Sequence, residues 1–165
     1  MRRGIAMDGL SIGAEASGRN PTPVDRRVIG RAIAEWERLR TERDLPSYEM
    51  CAAGLEPLFQ SGLALVEITE DPDQDRIRFC GQDLVDALGR NPTGFPIVDF
   101  MPSAAERGLR LWRVAVESGK PAADIGEFVN ANGVDVLYRC VFLPLSDNGV
   151  DVTHIGAVFS YRMAL

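Results

Sequence analysis

Residues 133–145, GVDVLYRCVFLPL, constrain the fold more than any other stretch of this chain. Val134, Val136, Tyr138, Cys140 and Phe142 alternate with Asp135, Leu137, Arg139, Val141 and Leu143. Period-two alternation marks a strand whose side chains leave on opposite faces. One set is apolar and the other mixed, so the strand belongs in a sheet at least partly covered on both sides.

Its neighbours extend the pattern. Segments 122–130 and 150–163 flank it across NANG (130–133) and SDNG (146–149), and Asn-Gly is the strongest short hairpin signal because both turn residues need positive φ. GLALVEIT (62–69) and DRIRFCG (75–81) read as two more strands joined by a Pro/Asp turn. Between these groups, residues 81–102 are short and broken; Leu84, Val85 and Leu88 suit one or two helical turns capped by Gly89. Ser103-Ala104-Ala105-Glu106 reads as a capping box opening one helix. Ala105, Leu109, Trp112 and Val116 share a stripe of that helix, and Gly119 and Pro121 end it. Upstream, Thr22-Pro23-Val24-Asp25 reads as the start of a helix running to about Arg43, ahead of Pro46. Residues 47–61 give only a weak helical signal.

Strands grouped around a helical insert predict an α+β fold. The expected architecture is a five-stranded antiparallel sheet with helices over one face, preceded by a long amphipathic helix. Residues 1–21 read as a flexible tail, 22–46 as the helix, and 47–165 as the domain. A chain of 165 residues suits one such domain. The net charge of −6 argues against a nucleic-acid or anionic-membrane surface, which needs clustered Lys and Arg. No apolar run approaches the ~18–20 residues of a membrane span. The N-terminus has two arginines but no continuous apolar core, so it does not read as a secretion signal. Cys51, Cys80 and Cys140 are odd in number and far apart, which suits small buried hydrophobes in a reducing cytoplasm.

Several motifs fail on inspection. GRNPTG (89–94) has the glycine spacing of a phosphate loop, but Phe95 and Pro96 stand where Lys and Ser or Thr are needed. It reads instead as an elbow: Gly89 caps a helix, Pro92 stiffens the turn, and Gly94 swings Phe95 toward the interior. DPDQD (71–75) has calcium-loop spacing, but Arg76 and Gln82 replace the required Gly and Glu, leaving a solvated hairpin tip. Arg27 and Arg31 read as solvated charge on a helix face. No G-x-S-x-G, zinc or dinucleotide pattern occurs. His154, Glu127, Asp99 and Glu67 are the acid and base candidates of a small cavity enzyme of isomerase or dehydratase type. Glu127, in register with Ile125 and Val129, is the one placed to point inward.

The order of elements, with WERLR (36–40), RIRFCGQDL (76–84), GRNPTG and FLPLSDNG (142–149), resembles a PAS domain, and in particular small stand-alone bacterial PAS proteins. The resemblance covers about residues 28–162; Gln82 departs from it where a small hydroxyl residue is expected. It implies a cytoplasmic, non-catalytic sensory or interaction module, usually dimeric through its leading helix, with another signalling protein as partner. On that helix Val28, Ile29, Ala32, Ile33, Trp36 and Leu39 share one apolar face, which suits packing on the chain's own domain and pairing with a second copy equally well; under the resemblance it is the expected dimer face. Phe79, Leu88, Phe95, Trp112, Tyr138, Phe142 and His154 are the expected pocket residues, joined by Leu84, Val98, Phe100 and Phe159 as lining and by Arg139 as a polar group. Haem is disfavoured because SAAERGLRLWRVAVESGK offers no axial His, Cys or Met. Photoactive flavin is disfavoured because residues 81–102 contain no cysteine. An unidentified small ligand and a purely structural dimerisation adaptor are the remaining alternatives, and no metal site is expected.

Overall fold

A computed structural model describes residues 23–40, 44–54 and 61–163. In chain order these form α1 (Pro23–Arg40), α2 (Tyr48–Gly54), β1 (Leu63–Glu67), β2 (Arg76–Cys80), α3 (Gln82–Leu88), α4 (Pro102–Arg107), α5 (Leu111–Ser118), β3 (Ala122–Val129), β4 (Asp135–Leu145) and β5 (His154–Met163). Single 3₁₀ turns lie at Pro72–Gln74 and Ile97–Asp99. The expected tail, the Thr22 cap and residues 41–43 of the leading helix fall outside the described residues.

The five strands form one sheet in the order β2-β1-β5-β4-β3, with every neighbouring pair antiparallel. The last strand therefore lies between the N-terminal hairpin and β4. Alternation sorts its side chains onto two cores. Ala64, Val66, Ile77, Tyr138, Cys140, Phe142, Ile155 and Ala157 face α3, α4 and α5. Leu63, Leu65, Val141, Leu143, Leu145 and Val158 face α1 and α2. The double-sided burial read from β4 is thus met by helices on both faces, with the leading helix supplying the second cover.

α1 is held on that second face by Ala32, Trp36 and Leu39, all buried within the chain. The Trp36 indole N–H donates to the Pro144 carbonyl at 2.8 Å. Pro144 has no N–H of its own and sits in a strand that the helix crosses. Burying Trp36 and Leu39 contributes ~1.5–3 kcal/mol each on area grounds. No described helix is long and apolar enough to cross a membrane.

One expected helix is two. Residues 103–118 break at Gly108, which adopts φ 71 and caps α4 through its N–H to the Ala104 carbonyl. The Leu109 N–H then reaches back to the Ser103 carbonyl at 2.9 Å, closing the turn. The capping box does not form either. Pro102 at the first helical position starts α4 two residues early, so Ser103 lies inside the first turn and Met101 is the cap. Ala105 and Leu109, expected on the buried stripe, are exposed, whereas Trp112 and Ala115 are buried.

The elbow behaves as expected at its glycines. Gly89 has φ 84 and its N–H caps Val85. Gly94 has φ 92 and donates to the Ile77 carbonyl at 2.7 Å, strapping the elbow to the edge of β2. Phe95 is a correction, since it is 55% exposed rather than turned inward.

Candidate functional site

Between the inner face of the sheet and α3–α4 lies a cavity of about 30 Å³. Strand residues Ile77, Tyr138 and Phe159 wall it on one side, and Leu84, Leu88 and Phe100 wall it on the other. A space of this size holds about one water. Pro92, from the elbow, also lines it and is buried.

Its one buried polar corner is built around Tyr138. The phenol donates to Asp124 Oδ2 at 2.8 Å, and the Ile125 N–H donates to Asp124 Oδ1 at 2.8 Å. Gly126 makes room for the ring, because a Cβ there would lie 3.2 Å from the Tyr138 ring and hydroxyl. Burial raises the Asp124 carboxyl, against the smaller opposing effects of Tyr138, Ile125, Arg107 and Ser103. Arg107 stands 3.9 Å away, beyond hydrogen-bond distance. The Ser103 hydroxyl is buried and acts weakly on the Asp124 carboxyl, without a hydrogen bond of good geometry among the described residues. Burial also drives the Tyr138 phenol far up, with the Asp124 charge adding to the effect, so it stays a donor. This corner orients one aromatic ring; it does not present an acid and a base to a substrate.

A second polar centre lies apart from the cavity, around Asp75. Asp75, expected in a solvated hairpin tip, is completely buried. Its Oδ2 accepts from Trp112 Nε1 at 2.7 Å and from Arg113 Nε at 2.8 Å. Its Oδ1 accepts from the Thr69 N–H at 2.8 Å and from Arg113 Nη2 at 2.7 Å. Arg113 Nη2 also reaches the Thr69 carbonyl at 2.6 Å. The donors saturate the carboxylate, so this is a structural clamp joining α5 to the start of β2. Asp71, Asp73 and Gln74 keep the expected solvated character. An aspartate entering a strand, with an adjacent Trp-Arg pair on a helix, was the available signal.

Of the expected pocket residues, Leu88 and Tyr138 line the cavity, as do Leu84, Phe100 and Phe159. Trp112 and Phe142 are fully buried core that fills space rather than bounding it. Phe79 pairs with Leu65 and lies on the α1 side, because the register shifts between Leu65 and Val66 and turns Cys80 and Ile77 inward. It is 41% exposed. Val98 packs against the inner core without bounding the cavity.

His154 also falls on the α1 side, opposite Leu145 and Glu67 in the sheet. It stacks on Tyr48 with ring centroids 3.9 Å apart and meets the Thr153 hydroxyl at 2.9 Å. Burial lowers its pKa, opposed by the Asp147 and Glu67 charges. Glu67 pairs with Arg78 at 2.6 Å. Glu127 shares the α1-side parity of Leu137, its partner across the ladder, and Phe128 takes the inward position instead. Arg139 has that outward parity too, and Asp99 is exposed. His154 and Glu67 are thus cross-strand neighbours on the α1 side, which Glu127 shares by parity, and none of the four enzyme candidates lines the cavity. Among the described residues no group of His, Cys, Asp and Glu could hold a metal ion. Burial pushes the Cys51 and Cys80 thiols up to about 12 and Cys140 well above its ordinary value. None of the three lines the cavity.

Comparison with solved structures places this architecture. A variant of the fungal photoreceptor Vivid matches with TM-score 0.53 and 14% identity, over 79% of this chain and 93% of that one. The fold is PAS-like, of the light-oxygen-voltage kind. A light-oxygen-voltage domain studied with a flavin analogue matches this PAS-like fold with TM-score 0.51 and 16% identity, over 70% of this chain and 85% of that one. The light-state structure of the blue-light photoreceptor Aureochrome1 domain matches with TM-score 0.50 and 12% identity, over 64% and 84%. No family model matches the sequence, and no curated protein does.

Proposed function

We propose that this chain is a non-catalytic sensory and protein-interaction module of cytoplasmic signalling, acting by self-association and by docking on another signalling protein. The use of the interior is the observation that carries this reading. The inner face ends in a cavity of about 30 Å³ with mainly apolar walls. The acids and the histidine that could serve catalysis lie elsewhere. Fold alone does not assign function, since one scaffold hosts many activities. Here the packed interior, whose small cavity has no acid–base pair among its described lining residues, speaks against a cavity enzyme, whose pocket would need ~300 Å³ or more and convergent polar groups. The order of WERLR, RIRFCGQDL, GRNPTG and FLPLSDNG supports the narrower placement among small stand-alone bacterial PAS proteins.

The likeness to photoreceptor domains raises flavin as a cofactor. The residues present do not fit it. The cavity is about a tenth of the smallest usual ligand pocket, ~300 Å³. Its tyrosine corner is already tied to Asp124.

Self-association through α1 remains part of the proposal, in a modified form. Ala32, Trp36 and Leu39 are committed to the chain's own sheet. Val28, Ile29 and Ile33 are only half-buried, and they are the residues left to meet a second copy. Light scattering of the full chain should give twice the chain mass, and Ile29→Glu with Ile33→Glu should halve it. A monomeric unsubstituted chain would refute self-association. A variant that stays dimeric would move the contact away from α1.

A further inference from the structure

Outside the cavity, a groove of about 390 Å³ runs between the α3–α4 connection and the β3–β4 turn. One wall is fixed in place by backbone bonds. The Ala131 N–H donates to the Leu88 carbonyl at 3.0 Å, and Asn130 Nδ2 donates to the Ala87 carbonyl at 3.1 Å. Gly89 allows this approach, because a Cβ there would lie 3.1 Å from Ala131. The opposite wall is α4, through Ala105 and Glu106. Leu88, Phe100, Pro102 and Phe128 form an apolar floor and also wall the cavity, so one layer of side chains separates the two spaces.

The rim carries charge of both signs. Arg90, Asp99 and Glu106 border the groove and are exposed. The Arg90 guanidinium lies 4.4 Å from the centroid of the Phe100 ring. Among the described residues none of these three charges has an ion-pair partner. An apolar floor beneath one unpaired cation and two unpaired carboxylates complements a ligand that is itself amphipathic and doubly charged. A simple carboxylic acid would satisfy Arg90 and face two like charges. A simple amine would satisfy the acids and leave Arg90 unmatched. The volume lies in the range of ~300–1,000 Å³ usual for small-molecule sites.

We infer that this groove binds a zwitterionic amphiphile, an apolar α-amino acid. Its side chain lies on the Leu88 and Phe128 part of the floor, its carboxylate meets Arg90 where that guanidinium covers Phe100, and its ammonium meets Asp99 and Glu106. The inference rests on the sensory reading and gives that module a ligand class.

Nuclear magnetic resonance titration of the ¹⁵N-labelled full chain tests it, with phenylalanine, 3-phenylpropionate and phenethylamine as probes. Phenylalanine should shift the Arg90 and Ala131 amides and leave Met50, on α2, unmoved. Exposed charge pairs are weak, so each analogue should bind about threefold less tightly than phenylalanine. Arg90→Gln should bring phenylalanine down to the level of phenethylamine. Asp99→Asn with Glu106→Gln should bring it down to the level of 3-phenylpropionate. All three side chains are exposed, and the analogue series on the unsubstituted protein stands without the variants. Equal or tighter binding of either analogue, or no shift at Arg90 and Ala131, overturns the groove and leaves the sensory reading intact. New ligand resonances showing conversion of phenylalanine overturn the non-catalytic reading itself.

Discussion

Asp75→Ala is the substitution whose consequence can be worked most fully from the structure. The carboxylate is completely buried and holds Trp112, Arg113 and Thr69 at once. Removing it orphans the buried Trp112 N–H, at about 1–3 kcal/mol, and the part-buried Thr69 N–H, at the lower end of that range. It also strips the partner from Arg113, whose side chain is only 17% exposed. Breaking one side of a buried ion pair costs about 3–5 kcal/mol. These losses share the same atoms, so their sum overstates the effect, and we expect a total of about 3–5 kcal/mol. For a domain of this length that is a fall in Tm of roughly 6–20 °C. Urea unfolding should show a lower midpoint at unchanged slope, the signature of lost stability rather than altered compactness. Arg113→Met should cost a comparable amount by leaving the carboxylate buried. The double variant should be less destabilised than the two singles combined, by about 1–3 kcal/mol. A cost below about 1 kcal/mol for Asp75→Ala, or strict additivity of the singles, would refute the clamp.

Gly126→Ala should destabilise by about 1–3 kcal/mol, because the new methyl overpacks against the Tyr138 ring; an unchanged unfolding midpoint would show that the ring yields freely. The chain has one histidine, so its ring protons titrate without ambiguity in a magnetic resonance experiment. Burial depresses the His154 pKa below 6.5 in the folded state, which therefore favours the neutral ring. That contribution to stability is complete above pH 6.5 and is lost as pH falls through the lower folded value. His154→Gln should remove this slope from the stability profile, and a folded pKa at or above 6.5 would contradict the burial argument.

Much of the fold was legible because β4 carries its information twice. Its two alternating sets of side chains announced a sheet covered on both faces, and the structure supplies α3–α5 on one face and α1 on the other. Gly89 was legible because a glycine after a short apolar helix has few other uses. The misses share a physical cause, which is that a single residue of register or phase redirects everything after it. The shift between Leu65 and Val66 put Phe79 on the α1 side. Alternation in β3 runs in the phase opposite to that expected, so Phe128 faces inward where Glu127 is expected. Gly108 was absorbed into a helical stripe although its left-handed conformation divides the helix. Asp75 was hidden because the Asp-rich turn around it is solvated. Only contacts made by Trp112 and Arg113, thirty-seven and thirty-eight residues further on, draw it inside.

Native mass spectrometry of the full chain as first purified is the most direct test of a self-associating module with a packed interior. The account predicts a species of two chains whose mass leaves no room for flavin. A monomer as the sole species, or a flavin bound in stoichiometric amount, would contradict it.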